Sequence, residues 1–313
     1  MSKYAYGVDI GGTTVKIGVF EVDGTLLDKW EIPTRREENG SLIIADIAAS
    51  IHANMSERGY AAEDIVGVGA GAPGAVDESG IIYQAINLGW GKFNLQEALE
   101  DALKLPAKAG NDANVAALGE MWKGGGQGFK DMVMVTLGTG VGGGVICNGK
   151  LIAGFMGGAG EIGHMNVEEE ETVPCNCGLT GCLEQYASAT GVVTLAKRRL
   201  AADDAASVLR EGELSAKSVW DAVKAGDAVA VEVAEKFGYY LGKGLTHIAA
   251  VTNPEAFVVG GGVSKAGEIL FEYVRPYFKK HVFKGCKQVE FVLAKLGNDA
   301  GIYGAAQLVI CSK

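Results

Sequence analysis

One histidine and three cysteines lie close together in residues 161–185 and can bind a metal ion. They are His164, Cys175, Cys177 and Cys182, and the cysteines follow a C-x-C-x4-C spacing in a glycine-rich loop. One imidazole and three thiolates make a closed, tetrahedral set of the kind that holds structural zinc. A redox role is the alternative, but the C-x-x-C spacing of thioredoxin-like motifs is absent. The spacing therefore predicts a structural zinc site, although unrelated buried thiols would give the same residues.

Two carboxylates, Glu161 and Glu184, flank this metal loop and can accept hydrogen bonds from the hydroxyls of a polyol. As plain surface groups they would have no such role, but their placement around the loop favours the first interpretation. With His164 they are expected to form a rigid polar wall braced by the metal. The acidic run Glu168–Glu171 is predicted to be a solvated loop.

Three glycine-rich turns follow apolar, strand-like segments, in residues 7–16, 136–144 and 258–264. Glycines allow backbone N–H groups to approach phosphate oxygens, and in the third turn they can let an adenine lie on bare backbone. Asp9, at a strand end, can hold a hydrated Mg²⁺, and Lys16 can add positive charge. A polar hairpin, a glycine-rich bend and close helix packing would also account for the three turns without any ligand. The residues predicted to bind the nucleotide and its metal are Asp9, Gly11, Gly12, Thr13, Thr14, Gly138, Thr139, Gly140, Gly261 and Gly262.

Asn111 and Asp112 lie between a predicted strand and a predicted helix. Both residue types favour the N-cap position of a helix, so capping explains them without any chemistry. A carboxylate at this place can also be a general base, because phosphoryl transfer to a hydroxyl needs a group that takes its proton. The sequence leaves cap and base open, and one residue can serve as both.

The elements that must position these groups form two similar α/β halves. The strand–turn–strand unit at the start of the chain recurs near residue 136, where Asp9-Ile-Gly-Gly-Thr aligns with Thr136-Leu-Gly-Thr-Gly. Such halves are expected to face each other, with a ligand in the cleft between them. The stretch 200–217 is the expected flexible insertion. Helices are predicted at 41–58, 94–104, 112–122, 182–200, 227–250, 265–281 and 299–310, and strands at 4–10, 65–71, 106–111, 131–138, 256–263 and 289–294.

Length and charge limit the classes of function. At roughly 150 residues per domain, 313 residues predict two domains. The 28 basic and 38 acidic residues give a net charge of −10, so nucleic acid is not expected as a partner. No apolar run is long enough to span a membrane, and the N-terminus lacks the pattern of a signal peptide. The expected location is the cytoplasm, where structural disulfides are rare.

Together these motifs resemble the ROK family of sugar kinases, above all its bacterial glucokinases, over almost the whole chain. The most specific matches are DIGGT (9–13), Asn111-Asp112, GTGVGGG (138–144), ExGH (161–164) and CxCGxxGCxE (175–184). The resemblance implies an α/β, two-domain, actin-like or hexokinase-type (ribonuclease H-like) fold with the active-site cleft between the domains. The smaller N-terminal domain is expected to comprise 1–110 and 299–313, and the larger domain, with the zinc-bound loop, 111–298.

The resemblance also implies the reaction, which is ATP-dependent phosphorylation of glucose at its 6-hydroxyl to give glucose 6-phosphate, with Mg²⁺. Asp112 matches the general base. Asn87, in NLGW (87–90), looks like the glucokinase branch more than the amino-sugar branches. His164 would bind zinc, which shapes the sugar pocket, through one ring nitrogen and face the sugar with the other. The sugar-binding positions that match are Asn87, Asn111, Asp112, Glu161, His164 and Glu184.

Several alternatives remain. A ROK kinase for fructose, mannose or N-acetylmannosamine would carry the same motifs, and a non-catalytic sugar sensor would use the same scaffold. Repressors of the family place a DNA-binding region before the kinase-like part. Since only nine residues lead up to Asp9, we expect no such region here. A zinc hydrolase needs an open metal position, which three cysteines and His164 do not leave. The family further implies a homodimer. Glu184 is expected to contribute to binding of the sugar more than of ATP, because the phosphate loops lie elsewhere in the chain.

Overall fold

The computed structural model describes residues 3–311 and has mixed α/β architecture. The strands are β1 (Tyr4–Ile10), β2 (Thr14–Glu21), β3 (Leu26–Pro33), β4 (Ile65–Ala72), β5 (Ile81–Ile82), β6 (Phe93–Asn94), β7 (Ala107–Asn111), β8 (Met132–Leu137), β9 (Val141–Cys147), β10 (Lys150–Leu151), β11 (Ala256–Gly260) and β12 (Glu290–Leu293). The helices are α1 (Glu37–Gly40), α2 (Ile43–Arg58), α3 (Leu95–Leu103), α4 (Asp112–Lys123), α5 (Glu184–Ala187), α6 (Ala189–Leu200), α7 (Ala216–Lys224), α8 (Ala228–Thr252), α9 (Ile269–His281) and α10 (Ala300–Ile310). Within residues 3–311, no helix combines the length and apolarity needed to cross a lipid bilayer.

Two five-stranded sheets have the same strand order. The first runs β3-β2-β1-β4-β7 and the second β10-β9-β8-β11-β12, while β5 and β6 form a small separate hairpin. In the first sheet β1, β4 and β7 are parallel, and in the second β8, β11 and β12 are parallel. Asp9 and Thr136 are each the penultimate residue of the first strand of their sheet. The shared order confirms the internal repeat that the sequence predicts.

The chain divides into two compact units. The first contains the residues up to Lys130, Gly144–Gly160 and the residues from Leu296 onward, and the second contains Asp131–Gly143 and Glu161–Lys295. This division differs from the predicted domain boundary at residue 110, because it assigns α4 to the first unit. The physical reason is that α4 packs along α10, which belongs to the first unit.

Glycines bring α10 into direct backbone contact with its neighbours in the first unit. A Cβ atom on Gly69 of β4 would overlap the carbonyl oxygen of Ala305, and one on Gly304 would overlap the carbonyl oxygen of Val115 in α4. Real Cβ atoms do not approach other atoms this closely, so any larger residue would force the elements apart. The missing side chains therefore set the distance between α10, the sheet and α4.

Two predicted segments differ from the structure. The helix expected over 182–200 breaks at Ser188, whose extended backbone ends α5 and whose hydroxyl accepts the N–H of Gly191 to cap α6. The expected flexible insertion at 200–217 contains internal hydrogen bonds, since the Arg210 guanidinium donates to three backbone carbonyl groups of residues 200–205. Helix α7 begins at the end of this segment and was not predicted.

Candidate active site

The first glycine turn joins β1 to β2 and exposes two threonines. The N–H of Gly11 donates to the carbonyl of Thr14 at 3.0 Å, which closes the turn. Thr13 and Thr14 are exposed, and a Cβ atom on Gly12 would meet only Asn87, at 3.8 Å. The hairpin therefore presents bare backbone and two hydroxyls, and Asn87, a predicted sugar-binding residue, lies beside it.

Asp9 occupies the end of β1 under conditions that oppose its ionisation. Burial and the negative charge of Asp112 raise the pKa of the Asp9 carboxyl to about 6, while Lys16 opposes the shift. The carboxylate accepts no hydrogen bond from any residue in 3–311. Two neighbouring carboxylates, one of them without donors, fit a hard divalent cation such as Mg²⁺, which prefers oxygen ligands.

Lys16 does not have the free charge that a phosphate ligand would need. It lies opposite Asp9 in the β1–β2 register. Its ammonium donates to the carbonyl of Asn298 at 2.7 Å and to the Asp299 carboxylate at 3.2 Å. The idea that Lys16 adds charge to the phosphates is therefore replaced by a structural role, in which it holds the start of α10 against β2.

The N-cap of α4 is Asn111 and not Asp112. The Asn111 side-chain oxygen accepts the N–H of Asn114 at 3.1 Å, and its amide donates to the carbonyl of Gly74 at 3.0 Å. Asp112 is the first residue of the helix, and its Oδ1 accepts the N–H of Ala113. Capping therefore accounts for Asn111, whereas the role of Asp112 as a general base stays a prediction.

The four predicted metal ligands of the second unit come together. Their ligand atoms all lie within 4.8 Å of one another. The Sγ atoms of Cys177 and Cys182 are 3.6 Å apart, and Cys175 Sγ is 3.8 Å from His164 Nδ1. Tetrahedral N and S ligands of one zinc ion stand roughly 3.5–3.8 Å apart, given bond lengths of about 2.0–2.3 Å. The set therefore fits zinc, and a dication would offset the burial that raises the pKa of the Cys175 and Cys182 thiols.

Hydrogen bonds from outside the loop fix the metal loop in place. Burial alone would raise the pKa of Glu171, but hydrogen bonds from the Tyr186 hydroxyl, the N–H of Val173 and the Arg198 guanidinium hold it at about 2. Glu168 accepts the hydroxyl of Tyr240 at 3.0 Å. The acidic run is thus not simply the solvated loop that was predicted, since both ends of it anchor the loop to α5–α6 and α8.

The two ring nitrogens of His164 face different groups. Nδ1 points to the metal cluster, and Nε2 lies 3.9 Å from a carboxylate oxygen of Glu161, which is exposed. The direction of Nδ1 suits a metal ligand, and the role of Nε2 in facing the sugar stays a prediction.

Glu184 contacts both the metal cluster and the second glycine turn. Its Oε1 accepts the thiol of Cys175 at 3.0 Å, and its Oε2 accepts the N–H of Val141 at 3.4 Å. A Cβ atom on Gly140 would overlap the same Oε2. The expected separation of Glu184 from the phosphate loops is therefore wrong, because the bare backbone of Gly140 admits the carboxylate.

The second and third glycine turns lie at the ends of β8 and β11. The N–H of Gly138 donates to the carbonyl of Gly140, and Thr139 lines a pocket of about 340 Å³ that includes Glu184. Gly261 has φ +86°, and a Cβ atom there would collide with the backbone of Leu137. Glycine is therefore required at this position both for its backbone conformation and for the lack of a side chain. Gly262 lines a separate pocket of about 180 Å³ beside α7.

Sequence reasoning missed two glycines whose lack of a side chain makes room for a carboxylate. The contacts of Gly140 with Glu184 and of Gly301 with Asp9 link positions far apart in the chain. The only signal for Gly301 is a glycine inside an apolar helical pattern, which indicates a packing reason without naming the partner.

We expect Asp9→Asn to stabilise the metal-free protein at neutral pH. The pKa of Asp9 is raised from 3.8 to about 6 on folding, so its contribution to stability is fully present below pH 4 and is lost as pH rises through 6. About 1.4 kcal/mol per pKa unit sets an upper limit of ~3 kcal/mol for the gain. Thermal unfolding with a chelator should show a higher Tm for the variant than for the wild type at pH 7.5. At pH 4 the two Tm values should be equal. An equal or lower Tm at pH 7.5 would contradict this.

Comparison with known proteins identifies relatives along the whole chain. The model of the ROK family matches residues 5–311. A glucokinase of Halalkalibacterium halodurans is 44% identical over 98% of this chain and 95% of its own. The ROK family glucokinase of Streptomyces griseus, solved with glucose and AMPPNP, is 36% identical with a TM-score of 0.75, covering 97% of this chain and 98% of its own. The ROK hexokinase of Thermus thermophilus is 30% identical with a TM-score of 0.81, over 98% and 97% of the two chains. This chain, with its repeated sheets and hexokinase-type fold, belongs to the ROK family.

Proposed function

We propose that this protein is a glucokinase that transfers the γ-phosphoryl group of ATP to the 6-hydroxyl of glucose. The observation that carries the proposal is the position of Asp112 at the start of α4. Its carboxylate is not needed as the N-cap, because Asn111 caps the helix. A carboxylate that stands at a helix start without being its N-cap, and that is electrostatically coupled to Asp9, suits a general base. The glucokinase relatives at up to 44% identity support the same substrate pair.

In the proposed mechanism Asp112 accepts the proton of the 6-hydroxyl as its oxygen attacks the γ-phosphorus in line. The bond between the γ-phosphorus and the β,γ-bridging oxygen breaks, and ADP leaves. Backbone N–H groups and hydroxyls of the turns 11–14 and 138–140 bind the phosphates, and the turn at Gly261 and Gly262 binds adenine. Asp9 would hold Mg²⁺, which would offset the negative charge of the phosphates. Such reactions depend on positioning and electrostatic stabilisation more than on covalent chemistry, so rigid turns suit them.

Six side chains are proposed to bind the sugar. They are Asn87, Asn111, Asp112, Glu161, His164 and Glu184. The buried state of Asn111 and its two hydrogen bonds make it a group that orients the start of α4 as well. The metal ion of the Cys₃His set is proposed to be zinc with a structural role, because four protein ligands leave no open position.

A ROK kinase for another hexose is the second candidate. Among the relatives is an N-acetylgalactosamine kinase of a Shewanella species, 32% identical to this chain, so the family scaffold accepts other sugars. A non-catalytic sugar sensor is less well supported, because the proposed base and both phosphate turns are present. The family resemblance alone supports three further proposals: a homodimer, a cytoplasmic location and a role in glycolysis.

We expect Asp112→Asn to lower turnover by about 10²–10⁴-fold, the usual contribution of a general base. Folding should be preserved, because Asn111 provides the cap. Steady-state assays coupled to ADP formation measure turnover, and calorimetry measures glucose binding, which should change little. Near-normal turnover would remove Asp112 from the mechanism.

We expect glucose to be preferred over mannose and N-acetylated hexoses by at least ~10-fold in kcat/KM. Each buried polar group left unpaired by a different sugar costs about 1–3 kcal/mol, which corresponds to roughly 5- to 150-fold. A panel of six hexoses in the ADP assay measures this preference. Equal efficiency on glucose and N-acetylmannosamine would refute the glucokinase proposal while leaving a kinase.

Two matched variants test the two glutamates of the polar wall, Glu161 and Glu184. Glu161→Gln should raise the KM for glucose and leave the KM for ATP unchanged, because Glu161 is exposed and contacts only His164 among the site residues. Glu184→Gln should raise both, because Glu184 also accepts the N–H of Val141 in the phosphate turn. An unchanged KM for ATP in Glu184→Gln would show that its contact with the turn is unimportant.

We expect the purified protein to contain about one zinc ion per chain. Cys177→Ala should lose both metal and glucose phosphorylation. Cys311→Ala is the matched control, because Cys311 is also an exposed free cysteine but lies outside the cluster. Elemental analysis provides the measurement, and active protein without zinc would end the proposal of a zinc site.

A further inference from the structure

The first turn of α10 lies directly against the side chain of Asp9, and a glycine occupies the point of contact. A Cβ atom on Gly301 would stand 2.5 Å from Oδ2, 2.6 Å from Cγ and 3.0 Å from Cβ of Asp9. Real Cβ contacts essentially never fall below 3.0 Å. An alanine at this position is therefore incompatible with the observed place of the Asp9 carboxylate.

Neither backbone geometry nor helix propensity explains a glycine at position 301. Its φ is outside the left-handed region, so any residue type could adopt this backbone. Glycine is also a poorer helix former than alanine. The remaining physical reason is space, and the group that occupies the space is the carboxylate of Asp9.

Helix α10 cannot move away to make room for a side chain at Gly301. A Cβ atom on Gly7 would overlap the carbonyl oxygen of Ile302, and one on Gly119 would overlap that of Ala300, so the helix backbone is held on both sides. Lys16 also binds the chain just before the helix. Because the helix is fixed, a methyl group at position 301 would displace the carboxylate and not the helix.

We propose that Gly301 is a positioning residue for the Asp9 carboxylate, and through it for the divalent cation that accompanies the nucleotide. This inference rests on the proposed function, in which Asp9 holds that cation. The bare Cα sets where the two carboxylate oxygens lie relative to the turn Gly11–Thr14. The three atoms nearest to a Cβ atom on Gly301 all belong to Asp9, and none belongs to a proposed sugar-binding side chain.

The first test measures cation binding directly, with Mn²⁺ as the probe in the presence of AMPPNP. Free Mn²⁺ is followed by its electron paramagnetic resonance signal. Gly301→Ala should weaken Mn²⁺ binding ~10-fold or more, as changes to residues that orient metal ligands do. The Mg²⁺ concentration for half-maximal turnover should rise in parallel, while the KM for glucose stays unchanged.

Ile302→Ala is the matched control for general damage to α10. Ile302 is the next residue, and its side chain packs into a core cluster with Phe20 and Ala306. This variant should lose Tm but keep the Mn²⁺ affinity of the wild type. If both variants lose Mn²⁺ affinity equally, Gly301 has no specific role and the inference is overturned.

The second test is a stability cycle that does not depend on catalysis or on a cation. Gly301→Ala should lower the Tm in the native background but not in an Asp9→Ala background, where the carboxylate that it would strike is absent. If Gly301→Ala alone does not fold, folding of the double variant supports the contact. An equal loss of Tm in both backgrounds, or a double variant that fails to fold while Asp9→Ala folds, overturns it.

The results separate the inference from the function on which it rests. Wild-type protein that binds Mn²⁺ with AMPPNP and phosphorylates glucose, with an unchanged Mn²⁺ affinity in Gly301→Ala, overturns the inference alone. Wild-type protein that neither binds Mn²⁺ with AMPPNP nor phosphorylates a hexose overturns both.

Discussion

The contact on which the first unit depends is the one between the backbone of α10 and the glycines that face it. Gly7 in β1, Gly69 in β4 and Gly119 in α4 each admit a backbone carbonyl of α10 into the space of a side chain. Interiors are densely packed and transmit strain, so a contact between backbones leaves no soft side chain to absorb a displacement. The ends of β1 and α4 are thereby fixed, and they carry Asp9 and Asp112.

This packing holds together two carboxylates that repel each other. The nearest lysine in the β1–β2 register, Lys16, directs its ammonium to Asn298 and Asp299 and leaves much of the negative charge near Asp9 uncompensated. Burial and the charge of Asp112 both raise the pKa of Asp9. Sites of catalysis and ion binding commonly contain such unfavourable charges, because the ligand that compensates them is the one that the site binds. The stability of the arrangement thus comes from the glycine contacts and not from charge pairing at the site.

Most of the fold and the proximity of the four candidate metal ligands could be predicted from the sequence, because their signals are local. The strand–turn–strand repeat, the caps near α4 and the cysteine spacing all lie within short stretches of chain. The break at Ser188 was missed because the apolar spacing continues through it, although serine is a good N-cap. The partners of Lys16 and Glu184 were missed for another reason. Lys16 binds residues more than 280 positions away, and Glu184 meets a glycine whose contact leaves no trace in residue type.

The two units position their functional groups by different means, and the difference explains what sequence reasoning finds. In the second unit the ligands of one proposed ion, His164 to Cys182, fall within one short segment, so covalent spacing already brings them close. In the first unit Asp9, Asp112 and Gly301 are spread over the whole chain. The parallel pairing of β1, β4 and β7 and the close packing of α10 bring them together. Glu184 combines both cases, since it follows the metal loop in sequence but reaches the phosphate turn through the missing side chain of Gly140. A metal site is therefore recognised by the residues that are present, whereas a packed carboxylate site depends equally on side chains that are absent.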